Sequence, residues 1–418
     1  MKESLRKTRE KRKSQDCKVF ELKIVKDKLF SETLNQLNKL FIEAKQYYNW
    51  ILSHENIFSI DTKIKEITVF NKKTEETKKV IVSLPAKVRG DLKKRIITAI
   101  KSLSTKKKKG KQEEVGKLKF KSFVNSIPLD NQAWRFITPN KIYIVKIKQY
   151  LKVMGVDQIP KNAEFANANL VKKNGDFYLY ITVFLPKEEK LSHEKSIGID
   201  FGCDKPLTLS NGIQIQYNIP VDRKIKKLHR KFSRQQKHSK NKQKTIIKLN
   251  KAYDKKNHQK KDINKKILNI LGNNYKIAIQ DENIKGWQKG GHGKKINQTA
   301  IGGLISGIKK LPGTVIVDRF FPSTKTCSRC GHVQKVELFE RVFTCKNCGL
   351  VINRDLNSAV NLDNQVPQDM GKLKPVETKS STLKIMERLN VIPFVKASLV
   401  NEIGTVISRK RSQLVKAN

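Results

Sequence analysis

Two Cys-x-x-Cys pairs, Cys327 with Cys330 and Cys345 with Cys348, are separated by fourteen residues. Each pair can present two thiolates to one ion, and two pairs complete a tetrahedral four-cysteine zinc site. Gly331 and Gly349 follow the second cysteine of each pair, where the chain has to turn around the metal. The doubled spacing favours zinc over disulfides or a redox Cys-x-x-Cys. His332 is a conceivable substitute ligand, but four cysteines already fill the site. The remaining cysteines, Cys17 and Cys203, do not suggest a disulfide framework. Carboxylates supply the second chemistry. Asp200 ends the apolar run Ser196-Ile-Gly-Ile-Asp200, beside glycines that let a phosphate approach. Asp281 and Glu282 end a second apolar run, Tyr275-Lys-Ile-Ala-Ile-Gln280. Adjacent strand residues point to opposite faces, so only one of the two can share a site with Asp200, and a strand covered on both sides hides which. Asp355 follows the second cysteine pair at an expected helix start, where an acid is also comfortable without any function. Carboxylates from three segments can converge at the end of a sheet and hold two Mg²⁺, which is phosphodiester-hydrolysing chemistry.

Composition points to the substrate. The 418 residues include 88 Lys and Arg against 38 Asp and Glu, a formal charge of +50. A polyanion is the natural partner, and nucleic acid the first candidate. No apolar run is long enough to span a bilayer, so no membrane partner is expected. No apolar segment of signal-peptide type follows the basic start, so a cytoplasmic, nucleoid-associated protein is expected. The first fifteen residues are expected to be loose. Residues 223–253 contain no Asp or Glu, and their sparse apolar residues recur at helical spacing at Ile225, Leu228 and Phe232, then Ile246, Ile247 and Leu249. Two helices with a narrow buried seam are predicted, turning near Ser239. Lys226, Lys227, Arg230, Lys231, Arg234, Lys237 and Lys240 would face a nucleic-acid backbone; the plainer alternative is a solvated helix face. A second basic run, residues 106–111, reads as an exposed loop.

The elements around these residues follow from periodicity. A strand is predicted over residues 19–25 and a helix over 31–53, with Leu34, Leu37, Leu40, Phe41, Ala44, Tyr47, Tyr48 and Ile51 on its core face. Pro85 opens a second helix with basic exposed positions at Arg89, Lys93, Lys94 and Arg95. From residue 118 to 186 short β-rich runs, with a hairpin turn at Asn174-Gly175, suggest a small barrel or sandwich completed by the first strand. Beyond residue 189 strands and helices alternate as in α/β domains. Residues 285–298 hold four glycines directly after the acidic strand and suggest a lid over the site or a plain flexible loop. The tail beyond about residue 370 is expected to hold helix near 382–389 and shows no chemistry.

The order of motifs resembles the TnpB family of transposon-encoded proteins, relatives of compact type V CRISPR effectors. The resemblance rests on Gly198-Ile-Asp200-Phe-Gly202, the basic helical pair, Lys325-Thr-Cys-Ser-Arg-Cys-Gly331, Cys345-Lys-Asn-Cys-Gly349, and Arg354-Asp-Leu-Asn-Ser-Ala-Val-Asn361. It is strong over residues 190–365 and weak before them. It implies a fold of α/β plus β: an RNase-H-like (RuvC) nuclease domain with an inserted four-cysteine zinc ribbon, preceded by a wedge β-barrel with a helical insertion. The implied boundaries are 1–30 and 116–190 for the barrel and 31–115 for the helical recognition domain. The nuclease domain would take 191–322 and 353–370, the ribbon 323–352, and a tail 371–418. It further implies RNA-guided, Mg²⁺-dependent DNA cleavage, with a guide RNA from the transposon end, a double-stranded DNA target and structural zinc. Asp200 and Asp355 fall on the first and last catalytic positions. The middle position departs from the family, which carries Glu where this chain has Gln280; Glu282, two residues on and on the same strand face, is the replacement candidate. The catalytic expectation is therefore Asp200, Glu282 and Asp355. The alternatives are a nuclease-impaired RNA-guided DNA-binding protein and a basic zinc-ribbon binding protein without catalysis.

Overall fold

The computed structural model describes the chain except residues 1, 72–75, 109–117, 188–194, 203–204, 218, 220–222, 338, 368–377, 401–405 and 408–418. Contacts divide it into two units, residues 1–188 and 189–418.

The first unit runs α1 (Lys2–Lys13), β1 (Gln15–Ile24), α2 (Ser31–Leu52), β2 (Glu66–Asn71), β3 (Glu76–Ile81), α3 (Ala86–Lys108), β4 (Ser126–Leu129), β5 (Trp134–Thr138), β6 (Lys141–Ile144), β7 (Leu151–Met154), β8 (Glu164–Lys173) and β9 (Asp176–Pro186). Seven strands form one antiparallel sheet in the order β4-β8-β9-β1-β7-β6-β5. Alternation drives it: in β9 Phe177, Leu179, Ile181, Val183 and Leu185 are buried while the intervening residues are not. Trp134 and Phe136 of β5 pack edge-on and tilted against Phe165 of β8, with centroids 6.1 and 5.2 Å apart, so the sheet curls toward a barrel. The apolar stripes of α2 and α3 close the same core, with Leu37, Tyr47, Leu92 and Ile96 among the barrel residues. The helical segment thus shares one core with the barrel, and it also carries the β2–β3 hairpin, which periodicity did not reveal.

Two expectations here are corrected. The N-terminal residues form α1, anchored by Lys11 and Arg12 on Glu164, with the Arg12 guanidinium 3.6 Å from the Phe184 ring centroid. Arg89 is not an exposed basic residue: it is 2% exposed, and its guanidinium donates to the carbonyls of Thr62, Lys63 and Leu84. Three loop carbonyls, that of Leu84 buried and those of Thr62 and Lys63 partly so, needed donors, and the fork of an arginine supplied them. The basic run at 106–111 falls partly on the end of α3 and otherwise outside the described residues.

The second unit runs β10 (Ser196–Phe201), β11 (Leu207–Leu209), β12 (Ile213–Tyr217), α4 (Arg223–Arg234), α5 (Lys240–Gly272), β13 (Lys276–Gln280), α6 (Ile284–Trp287), a π-turn (Gln288–His292), α7 (Gly293–Thr299), α8 (Ile301–Ile308), β14 (Val315–Val317), β15 (Val342–Thr344), β16 (Val351–Asn353), α9 (Arg354–Asp363), α10 (Lys379–Asn390), β17 (Val395–Val400) and β18 (Val406–Ile407). Its main sheet has the order β14-β13-β10-β11-β12-β17-β18, parallel across β14, β13 and β10 and antiparallel beyond. Helices cover both faces. Ile197, Ile199, Ile277 and Ile279 pack with Ile263 and Ile267 of α5, Leu304 of α8 and Ile385 and Leu389 of α10. On the other face Ala278 and Val317 pack with Leu362 of α9. Near-continuous apolar runs in β10 and β13 follow from this two-sided burial. The C-terminal region is not a separate tail, because β17 pairs with β12 and α10 contributes to the core. The segment 285–298 is not one open loop but two short helical pieces, α6 and α7, joined through a kink at Gly290 and Gly291, where the backbone leaves helical geometry.

Candidate active site and zinc centre

The parity of β10 and β13 decides which side chains meet. Gly198 lies against α9, so close that an added Cβ would stand 1.9 Å from the Ala359 carbonyl oxygen. Only glycine allows that approach. Asp200, two residues on, therefore faces α9 as well, and the Ser358 hydroxyl donates to its carboxylate at 3.0 Å. In β13 the α9 face holds Ala278 and then Gln280, and Glu282 continues that parity beyond the strand. Asp355 stands in the first turn of α9, where Asn353 Oδ1 caps the helix by accepting from the N–H groups of Asp355 and Leu356.

Each polar residue of α9 has a task. Asn357 and Asn361 both donate to the Thr326 carbonyl, Asn361 also to that of Ser323, and Asn357 accepts from the Ser328 N–H. Ser196 and Ser210 both donate to Asp363. One helix thus fixes β10, the start of the ribbon and two of the three carboxylates.

Asp200, Glu282 and Asp355 line one cleft of about 1000 Å³ together with Gln280, Lys205, Arg319, Lys325, Arg341 and Arg354. Burial, then the neighbouring charge of Asp355 and the smaller one of Glu282, push the Asp200 carboxyl up to about 8, against the hydrogen bond from Ser358. Burial pushes Glu282 up to about 6, partly offset by Arg319. Carboxylates that resist ionising together are what a divalent cation relieves, so this donor set suits Mg²⁺, an oxygen-seeking ion. Asp281 points away. It pairs with Lys309 and with Arg319 at 2.7 Å, and these cations hold its carboxyl below the usual range. Gln280 is buried, and its amide donates to the carbonyls of Asp318, Arg319 and Phe321 at 3.1, 3.0 and 2.7 Å while its oxygen accepts from the Ser323 hydroxyl. Three carbonyls around one end fix the amide's orientation. Ser358, Lys325 and Arg354 lie inside recognisable motifs but carried no signal of their own, and Lys205, Arg319 and Arg341 lie outside every motif.

The cysteines converge as predicted. All four sulfurs lie within 4.8 Å of one another, the only such group of three or more His, Cys, Asp or Glu ligand atoms among the described residues. Cys327 and Cys348, and Cys330 and Cys345, are 3.6 Å apart. A tetrahedron of thiolates at the Zn–S distance of ~2.3 Å sets sulfurs about 3.7 Å apart, so zinc fits. The two loops are built alike: Gly331 (φ 74°) donates to the Cys327 carbonyl, and Gly349 (φ 68°) to that of Cys345. The His332 N–H and the Asn347 amide pull the Cys330 thiol down, while burial and the neighbouring sulfurs push Cys348 up, so the four thiols do not ionise together without a cation among them. β15 and β16 pair beneath, with Phe343, Leu350 and Ile352 forming a small core with two of the cysteines.

On the basic hairpin, Ser239 caps α5 by accepting from Lys242, and Ile225, Thr245 and Leu249 are buried. Ile246 and Ile247, expected on the seam, are exposed, because the inner face advances through Thr245 and Leu249. Lys226, Lys227, Arg230, Lys231, Arg234, Lys237 and Lys240 are all exposed. No helix among the described residues is long and apolar enough to cross a membrane.

Residues 312–362 match the Cas12f1-like TNB domain family. A Streptomyces pristinaespiralis protein named "Putative RNA-guided DNA endonuclease" is 31% identical over 179 residues, covering 40% of this chain and 44% of that protein. TnpB-like protein L79 of Acanthamoeba polyphaga mimivirus is 25% identical over 218 residues, 44% of this chain and 40% of its own. The alignments thus span less than half the length of these relatives. A solved Cas12f1–sgRNA–target DNA complex superposes over 84% of this chain and 99% of its own at 15% identity, with a TM-score of 0.46. Over these stretches the chain is similar to the Cas12f1-like TNB domain, to TnpB-like proteins and to proteins named RNA-guided DNA endonuclease.

Proposed function

We propose that this protein is an RNA-guided DNA endonuclease of the TnpB type, using an RNA from its transposon end and an RNase-H-like (RuvC) active site. The observation that carries the reading is one cleft holding three carboxylates from β10, the end of β13 and the start of α9, ringed by five cations. Named relatives support the reaction class, since the Streptomyces protein bears an endonuclease name.

In this reading Asp200, Glu282 and Asp355 hold Mg²⁺. When bound, the metal supplies a nucleophilic water and charge stabilisation for the leaving oxygen of a phosphodiester. The chain supplies the rest. Ser358 orients Asp200 by its hydrogen bond. Lys205, Lys325 and Arg341 draw the phosphate backbone into the cleft. The Gln280 amide fixes the loop that forms one wall. Asp281, engaged by Lys309 and Arg319, braces that wall from the far face of β13. The ribbon, tied to α9 through Asn357 and Asn361, anchors Asp355, so structural zinc sets the geometry of a carboxylate without touching the reaction. The exposed α4–α5 hairpin gives a backbone-binding surface near a guide–target duplex, with base pairing carrying sequence recognition. The neutral Gln280 gives the nuclease-impaired reading its one observation; Glu282 in the same cleft answers it with a third carboxylate.

The test is purification of the full chain expressed from its native locus, followed by sequencing of the bound RNA. One RNA species ending in sequence from beside the gene is expected. Protein free of RNA, or carrying an unselected mixture, would remove the guided reading.

A further inference from the structure

Two adjacent phenylalanines after β14 part ways. Phe321 is half-buried and packs beside Ala278, Val317, Leu362 and Val366. Phe320 is 87% exposed, yet it lines the cleft that holds the carboxylates. Its exposure does not come from a slack backbone. The Phe320 N–H donates to the Asp318 carboxylate at 2.8 Å and the Phe321 N–H to the Asp318 carbonyl. Gln280 binds the carbonyls of Asp318, Arg319 and Phe321, and Arg319 is held by the carboxylate and carbonyl of Asp281. Residues on both faces of β13 therefore hold a large apolar ring in water, at the mouth of a cleft lined by Lys205, Arg319, Lys325, Arg341 and Arg354. The half-buried indole of Trp287 lines the same cleft from α6.

We propose that Phe320 is a stacking platform for an unpaired nucleobase of the strand led to Asp200, Glu282 and Asp355. This rests on the nuclease reading of the same cleft. An aromatic face interleaved with cations is the arrangement that binds single-stranded nucleic acid, the cations following phosphates and the ring taking a base of any sequence. A paired base has its faces covered by neighbours, so the platform selects an unstacked nucleotide. Gln280 and Asp281 are positioning residues for it.

The experiment uses the full RNA-bound, zinc-loaded protein in buffer without added Mg²⁺ and measures equilibrium binding of a short fluorescent single-stranded DNA, intact or with one abasic site moved along it. Wild type should lose affinity at one abasic position by about tenfold to a hundredfold, the worth of one stacked base. Phe320→Ala should bind the intact strand as weakly as that abasic strand and be indifferent to the abasic site. Phe320→Trp should restore both the affinity and the position-specific loss. Thermal unfolding should be unchanged in both variants, since the ring buries little. A wild type without any position-specific loss, or a Phe320→Ala protein that keeps it, overturns the proposal. Cleavage assayed separately in Mg²⁺ separates the two readings: absent cleavage with intact Phe320-dependent binding defeats only the nuclease reading, and normal cleavage with Phe320-independent binding defeats only the platform.

Discussion

Replacing Gln280 by Glu restores the residue that the family resemblance implies at this position, and the structure predicts that it harms this protein. The Gln280 Nε2 donates to three carbonyl oxygens, and Ser323 donates to its Oε1. A carboxylate there keeps only the Ser323 hydroxyl as a donor and, having no N–H of its own, sets negative charge against three carbonyl oxygens. It would therefore take up a proton, and the resulting acid offers one O–H where the amide offered two N–H groups. Each buried acceptor left without a partner costs about 1–3 kcal/mol, so Gln280→Glu should lose about 2–4 kcal/mol at pH 8. For a unit of this size that lowers Tm by about 5–15 °C. The penalty depends on pH with a definite sign. The introduced carboxyl has a raised pKa in the folded state and ionises near ~4.3 in the unfolded chain. Between those values the folded state binds more protons, so relative stability falls as pH rises, by about 1.4 kcal/mol per unit. Differential scanning calorimetry of both proteins from pH 5 to pH 8 should show the gap in Tm widening. A gap under one degree at pH 8, or one that does not change with pH, would refute the pinning role assigned to Gln280.

Other outcomes follow from the same geometry. Cys345→Ser should abolish zinc by elemental analysis and loosen the ribbon, whose own core is small; full zinc occupancy in that variant contradicts the four-cysteine assignment. Neutralising Lys226, Lys227, Arg230 and Lys231 together should lower the salt-dependence slope of nucleic-acid binding by up to about four units, one at most per lost phosphate contact; an unchanged slope leaves α4 a solvated face. Divalent-ion affinity should rise between about pH 5 and pH 8, because Glu282 and Asp200, pushed up to about 6 and about 8, must lose protons before they bind a cation. Calorimetric Mg²⁺ titration that shows equal affinity across this range speaks against both groups as ligands.

What was legible in the sequence was what local spacing encodes. The cysteine pairs and their glycines specified the zinc loops, since the ligands and turns lie within a few residues. Apolar runs ending in acids marked the central strands, and the acid-free stretch marked α4 and the start of α5. The choice between Asp281 and Glu282 was not legible in the strand pattern, because β13 is buried on both faces and its alternation says nothing about which face meets α9. The family resemblance favoured Glu282, and Gly198 against Ala359, a contact between residues far apart in the chain, gives the physical reason, since it turns that face toward α9. The same limit hid Arg89, whose partners are loop carbonyls more than twenty residues before it, apart from Leu84. β17 was missed because a strand at the end of the chain is recognisable only by its partner, β12.

The central claim is that Asp200, Glu282 and Asp355 act together on a phosphodiester, with Asp281 outside the reaction. It is tested most directly by cleavage of guide-matched double-stranded DNA by the RNA-bound protein in Mg²⁺, comparing wild type with single alanine substitutions at these four residues. The account predicts cutting by wild type and by Asp281→Ala, and target binding without cutting by Asp200→Ala, Glu282→Ala and Asp355→Ala. Cutting by Glu282→Ala at the wild-type rate, or a wild type that binds its target in Mg²⁺ or Mn²⁺ and never cuts, would contradict it.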